Sequence, residues 1–237
     1  MTKLRLPLTA GVLALAACSG GAPPPPPPSQ ADVQAAQAAE KLKMYEQLRT
    51  SERYDLASDI GGDIVAKFAG TPAAAEVNKT LPAVKEKVAA AAEARRIAKL
   101  WIYNQVKEAK GTQYTASTLA VGSPAQEGPD RIRLVLRQHP EWGQSVYLLR
   151  DEGGFKCPSP CSLTVRFDDK AAEKLPGTIP PTGEPAVFID PDVAFIGKLA
   201  KAGKVSIDTE WKDRGKRTLE FEVSGLDLTK LPNPPKK

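Results

Sequence analysis

Few side chains in this sequence are placed to do chemistry. Cys157 and Cys161 frame the run Cys-Pro-Ser-Pro-Cys, and a third cysteine, Cys18, closes an apolar stretch. Two nearby thiols can form a disulfide, contribute to a zinc site or act as a redox dithiol. Zinc takes four ligands from Cys, His or carboxylate, and His139 is the sole histidine. A thioredoxin-type dithiol needs Cys-x-x-Cys beside a βαβ pattern, and the chain has neither. His139 lies between Gln138 and Pro140 at a strand end, and no Gly-x-Ser-x-Gly elbow exists to pair with it. It is therefore expected to be a surface or turn histidine. Asp168-Asp169 and Asp190-Pro191-Asp192 could supply the carboxylates of glycoside cleavage, and Asp190 and Asp192 could contribute to calcium, but the rest of an EF-hand loop is absent. Both pairs stand where turns and helix caps favour Asp. Trp101, Trp142 and Trp211 are expected in the core or at strand edges. The sequence thus nominates no catalytic residue, no metal ligand and no cofactor site.

The elements that position these residues begin at the first segment. Lys3 and Arg5 precede the mostly apolar Leu6–Ala17. A basic start, a short apolar run and small residues at a cleavage point mark a secretion signal. The run is shorter than the roughly 20 residues of a spanning helix. Leu15-Ala16-Ala17-Cys18 resembles the lipobox of bacterial lipoproteins. The resemblance implies cleavage after Ala17, diacylglycerol on the Cys18 sulfur and acylation of the new amino terminus. More than one acyl chain holds a protein stably on a membrane. Ser19, rather than Asp, follows the cysteine, which is similar to outer-membrane lipoproteins. Pro23–Pro28 should form a polyproline II rod of about 3.1 Å per residue. The expected boundaries are a signal over 1–17 and a lipidated, proline-rich tether over 18–29. With export, the oxidising compartment favours a Cys157–Cys161 disulfide, whose short loop contributes about 2 kcal/mol.

The pI near 9.0 raises the question of a nucleic-acid partner. Residues 29–110 hold 13 basic and 11 acidic side chains, and residues 111–237 hold 18 and 17. Charge is balanced in both parts and no basic block stands out, so no nucleic-acid partner is expected.

Residues 30–110 read as a helical arm. Gln30–Thr50 has few breakers, and Val33, Ala36, Gln37, Glu40, Met44 and Leu48 recur at helical spacing. The stripe strengthens at Leu42, Tyr45 and Leu48. Tyr54, Ala57, Ile60, Ile64 and Phe68 share one face of a second helix. Gly61-Gly62 inside it points to a close helix crossing, since no strand precedes it to make a phosphate cradle. Gly70-Thr71-Pro72 ends that helix and starts a third, expected to run to about Lys110 with a kink at Pro82. The stretches Tyr54–Ala57 and Phe68–Ala75 resemble one tetratricopeptide-type hairpin, without the several repeats such a solenoid needs.

Residues 111–230 read as strands. Arg131–Arg137, Ser145–Arg150, Ser162–Asp168, Lys204–Trp211 and Arg217–Val223 alternate apolar and polar positions, with a hairpin turn at Asp213–Lys216. One helix, Asp192–Ala202, interrupts them, capped by Asp190-Pro191 or Asp192. The expected fold class is α+β: an N-terminal helical hairpin, then an antiparallel β-sandwich-like domain with one short helix, and a tail over 231–237. Val165-Arg166-Phe167-Asp168 and Phe221-Glu222-Val223-Ser224-Gly225-Leu226 give Arg131–Leu226 a resemblance to the β-sandwich of TagO-type accessory proteins of type VI secretion and of invasion-associated locus B proteins. Neither family supplies catalytic residues to transfer.

These features together suggest a non-catalytic outer-membrane lipoprotein facing the periplasm, held to the membrane by its lipid and binding an envelope protein. A glycan binder or hydrolase, or a toxin-inhibiting immunity-type lipoprotein, are the alternatives. Apolar surface at Tyr45 or Phe68 would favour the first reading, and a cleft with two suitably spaced carboxylates would favour glycan chemistry.

Overall fold

The computed structural model describes residues 27–232 and divides them into two compact units, with the division between Lys85 and Glu86. The Cys18 anchor, the Ala17 cleavage site and most of the proline run lie outside the described residues. No helix among the described residues is long and apolar enough to cross a membrane.

The first unit is helical. α1 (Gln30–Thr50) starts at a capping box, in which Ser29 and Asp32 satisfy each other's backbone N–H groups. α2 (Tyr54–Lys67) follows, and α3 (Pro72–Ile97) begins with the Ala74 N–H donating to Thr71 Oγ1 (3.3 Å). The first half of α3 belongs to this unit. The core gathers Ala38, Tyr45, Ala57, Ile64, Phe68, Val77, Leu81 and Val84. Val33 and Met44, read as part of the α1 stripe, are exposed, because α1 turns its Ala38–Leu42–Tyr45 line inward instead. Gly61 explains the crossing: a Cβ there would lie 2.9 Å from Leu81 Cδ1 and 2.9 Å from Tyr45 Cε2. A Cβ on Gly62 would meet nothing within 4 Å.

α3 ends at Ile97, not near Lys110, and runs through Pro82. The stretch expected to finish that helix is instead β1 (Ile102–Glu108), which pairs with β2 (Gly111–Leu119). Ile102-Tyr103-Asn104-Gln105-Val106 has no clean period of either kind, so pairing with β2 decides its conformation. The second unit continues with β3 (Ile132–His139), β4 (Gly143–Arg150), β5 (Cys161–Phe167), β6 (Glu173–Thr178), β7 (Ala186–Ile189), α4 (Asp192–Leu199), β8 (Lys204–Trp211) and β9 (Gly215–Glu222). The fold class is α+β, with N-terminal helices followed by a β-rich unit.

The nine strands among the described residues form one antiparallel sheet in the order β1-β2-β3-β4-β7-β6-β5-β8-β9. Its two ends approach each other: the Val121 N–H donates to the Glu220 carbonyl (2.7 Å). The sheet therefore folds over one core in a sandwich-like manner. Leu134, Leu136 and Leu148 from one half share that core with Val165, Ile207 and Phe221 from the other. Phe195 of α4 packs edge-on against Phe167, 5.3 Å between ring centres. The Trp101 indole donates to the Val223 carbonyl (3.1 Å), and Arg96 makes a two-pronged contact with Glu222 (2.6 and 2.7 Å). These fasten the end of α3 to the sheet. β6 escaped the sequence reading because Pro176 lies inside it, and proline normally argues against a paired strand.

Candidate functional site

Cys157 and Cys161 form a disulfide, with Cα atoms 5.2 Å apart. The bond packs against Gly177 of β6, where a Cβ would lie 3.1 Å from both sulfurs.

His139 closes β3, just ahead of the turn, and it is buried rather than at the surface. Its Nδ1 accepts the N–H groups of Glu141 (3.1 Å) and Trp142 (3.2 Å), and its Nε2 lies 2.9 Å from Glu108. Nδ1 thus holds the β3–β4 turn, and Nε2 ties it to the end of β1. The ring stacks on Trp142 at 3.8 Å and 8°. Trp101 and Trp211 are core residues, whereas Trp142 is 69% exposed in that turn. Asp168 has a left-handed backbone (φ 51°), and its Oδ1 accepts the N–H groups of Gly203 (2.8 Å) and Lys204 (3.0 Å). Those backbone donors hold its carboxyl below the usual range. The expected cap, Asp190-Pro191 or Asp192, holds for Pro191 and not for an Asp side chain. The residue at the cap position is Pro191, with no side-chain cap, and Asp192 Oδ1 accepts only the next N–H, that of Val193. Among the described residues no three of His, Cys, Asp and Glu are grouped to hold a metal ion.

One cluster gave no signal in the sequence. Arg150, at the end of β4, is wholly enclosed. Its guanidinium donates to Asp213 (2.6 and 3.1 Å), to the Gly154 carbonyl (2.9 Å) and to the Pro129 carbonyl (3.1 Å), and it lies 3.9 Å above the Trp211 ring centre. Arg150 holds the Asp213 carboxyl at about 2. An arginine at a strand end reads as a solvated terminus, and its partners are 63 and 21 residues away.

A cleft of about 570 Å³ lies beside the disulfide. The Cys157–Cys161 loop with Pro158 and Pro160 forms one wall, and Ser162 and Thr164 of β5, Asp208 and Glu210 of β8, and Lys216, Arg217 and Thr218 line the rest. Asp208 and Glu210 lie two apart on one strand face, about 7 Å along the chain. That falls within the loose spacing of inverting glycosidases. The electrostatics run the other way. Lys156 sits 2.8 Å from Glu210 and, as its largest influence, holds that carboxyl low, whereas a glycosidase acid needs its pKa raised. Asp208 is the acceptor for the Thr218 hydroxyl (2.7 Å). Hydroxyls, cations, engaged carboxylates and apolar proline faces line this cleft.

No protein-family model matches the chain, and no curated protein matches it. Among solved structures the chain is weakly similar to the invasion associated protein b from Bartonella henselae, at 13% identity over 53% of this chain and 85% of that one, with a TM-score of 0.34. A likeness at this level assigns no function.

Proposed function

We propose that this protein is a lipid-anchored, outer-membrane protein facing the periplasm, whose β-rich unit binds another envelope protein without catalysing a reaction. The anchor rests on Leu15-Ala16-Ala17-Cys18 and the proline spacer behind it. The observation that carries the binding role is the cleft beside the disulfide, which is open, polar and cationic while its carboxylates are engaged by Lys156 and Thr218. The helical arm lends less support than its sequence suggested. Tyr45 and Phe68 are both buried in their own unit's core, so the apolar surface expected there is used internally.

Chemical crosslinking in intact cells, with Cys18→Ser run alongside, tests the proposal. A specific protein captured by the wild type and lost with Cys18→Ser is the expected result. Retention of murein fragments without any protein partner would overturn it in favour of glycan binding.

A further inference from the structure

We infer that the cleft receives an extended, acidic peptide segment of the partner, which pairs with the open edge of β5. This rests on the binding role proposed above and specifies its ligand.

The sheet itself shows the opening. The β5–β8 ladder runs from Phe167↔Val205 to Thr164↔Asp208 and stops. Cys161, Ser162 and Leu163 keep their partners on the β6 side, at Gly177, Pro176 and Leu175. On the β8 side they have no ladder partner. β8 meanwhile continues to Trp211 with β9 on its far side, and the Lys156 N–H reaches the Glu210 carbonyl (2.7 Å). The chain from Lys156 and the disulfide loop therefore hold the two strands apart at this end. Three residues of strand edge without a ladder partner border the cleft of about 570 Å³. An unpaired strand edge is a template for an added strand.

The lining selects charge. Lys156 is balanced by Glu210, and Asp208 is engaged by Thr218. Lys216 and Arg217 make no ion pair among the described residues, and both line the cleft. Lys216 stands opposite Glu210 in the β8–β9 ladder and Arg217 lies 5.9 Å from the Trp211 ring centre, yet neither is held in an ion pair, so these two cations beside an open strand edge fit a segment that carries carboxylates along an extended backbone. Pro158, Pro160 and Leu163 give its alternate side chains apolar contact. The lining holds no Trp, Tyr or Phe, the flat faces on which sugar rings would stack.

The test uses the full chain and fluorescein-labelled peptides in anisotropy titrations. The probes are an alternating Thr-Glu-Val-Glu-Val-Thr peptide, its Lys counterpart, and a Glu peptide with proline at its centre; soluble murein fragments serve as a competitor. The acidic peptide should bind at least about tenfold more tightly than the basic one, and more weakly as salt rises. Proline, which cannot donate to a ladder, should abolish binding. The exposed double variant Lys216→Gln/Arg217→Gln should abolish the charge preference while its far-UV circular dichroism spectrum stays that of the folded wild type. Equal affinity for acidic and basic peptides, undiminished binding of the proline peptide, or binding of murein fragments alone would overturn the inference. A photocrosslinking residue at Thr164 and another at Trp142, each in cells, separate the two proposals. A partner captured from Trp142 but not from Thr164 sinks the strand-addition site and leaves the binding role standing.

Discussion

Replacing Gly61 and Gly62 of α2 by alanine, one at a time, should change stability unequally, with only Gly62→Ala stabilising. The two positions are adjacent, share one helix and gain the same intrinsic preference, about 0.8–1.0 kcal/mol for alanine over glycine in a helix interior. Their surroundings differ. A methyl at Gly62 meets nothing within 4 Å, so Gly62→Ala keeps that gain and stabilises by about 0.8 kcal/mol. A methyl at Gly61 lies 2.9 Å from both Leu81 Cδ1 and Tyr45 Cε2. Leu81 can swing, but the Tyr45 ring is 1% exposed and its hydroxyl is hydrogen-bonded to Thr80 (2.8 Å), so it cannot move aside freely. Overpacking of this kind costs about 1–3 kcal/mol, which cancels or exceeds the gain. The gap between the variants is therefore about 1–3 kcal/mol. In a unit of this size that is several degrees of melting temperature. Urea and thermal unfolding followed at 222 nm, where the three long helices dominate, would read it. If Gly61→Ala stabilises as much as Gly62→Ala, the close crossing of α2 with Tyr45 and Leu81 is wrong.

Other outcomes test the β-rich unit and the anchor. Arg150→Met should destabilise by about 3 kcal/mol, because it leaves the Gly154 and Pro129 carbonyls without their donor and breaks the pair with Asp213; a loss below about 1 kcal/mol by urea titration would contradict a structural role. The same pair predicts a pH dependence. The Asp213 carboxyl is held at about 2 in the folded protein against 3.8 ordinarily, so the stability it contributes is complete above about pH 5 and fades as pH falls toward 2. The difference between wild type and Arg150→Met should narrow over that window, and a constant difference from pH 7 to pH 2.5 would count against the pair. Reducing the Cys157–Cys161 bond should lower stability by about 2 kcal/mol, read as a shift of the urea midpoint with and without reductant. Radiolabelled palmitate should enter the wild type and not Cys18→Ser; equal labelling would remove the lipid anchor from the proposal.

The sequence alone determined the local elements. Alternation at Ile132-Leu134-Leu136 and at Val205-Ile207 placed β3 and β8, the two cysteines sat close enough in the chain to pair, and the Gly-Thr-Pro run started α3. These follow from short-range periods and caps that each residue carries with it. What the tertiary structure decided involves residues far apart in the chain. β1 is a strand because β2 lies beside it, and His139 is buried because Glu108 and its own turn enclose it. Arg150 is enclosed because Asp213, Pro129 and Trp211 converge on it. The cleft exists because the β5–β8 ladder stops at Thr164 while the disulfide loop enters from one side. Periodicity records which face of a segment turns inward, but which segments then meet, and where their ladders end, is set by how the whole sheet folds over one shared core.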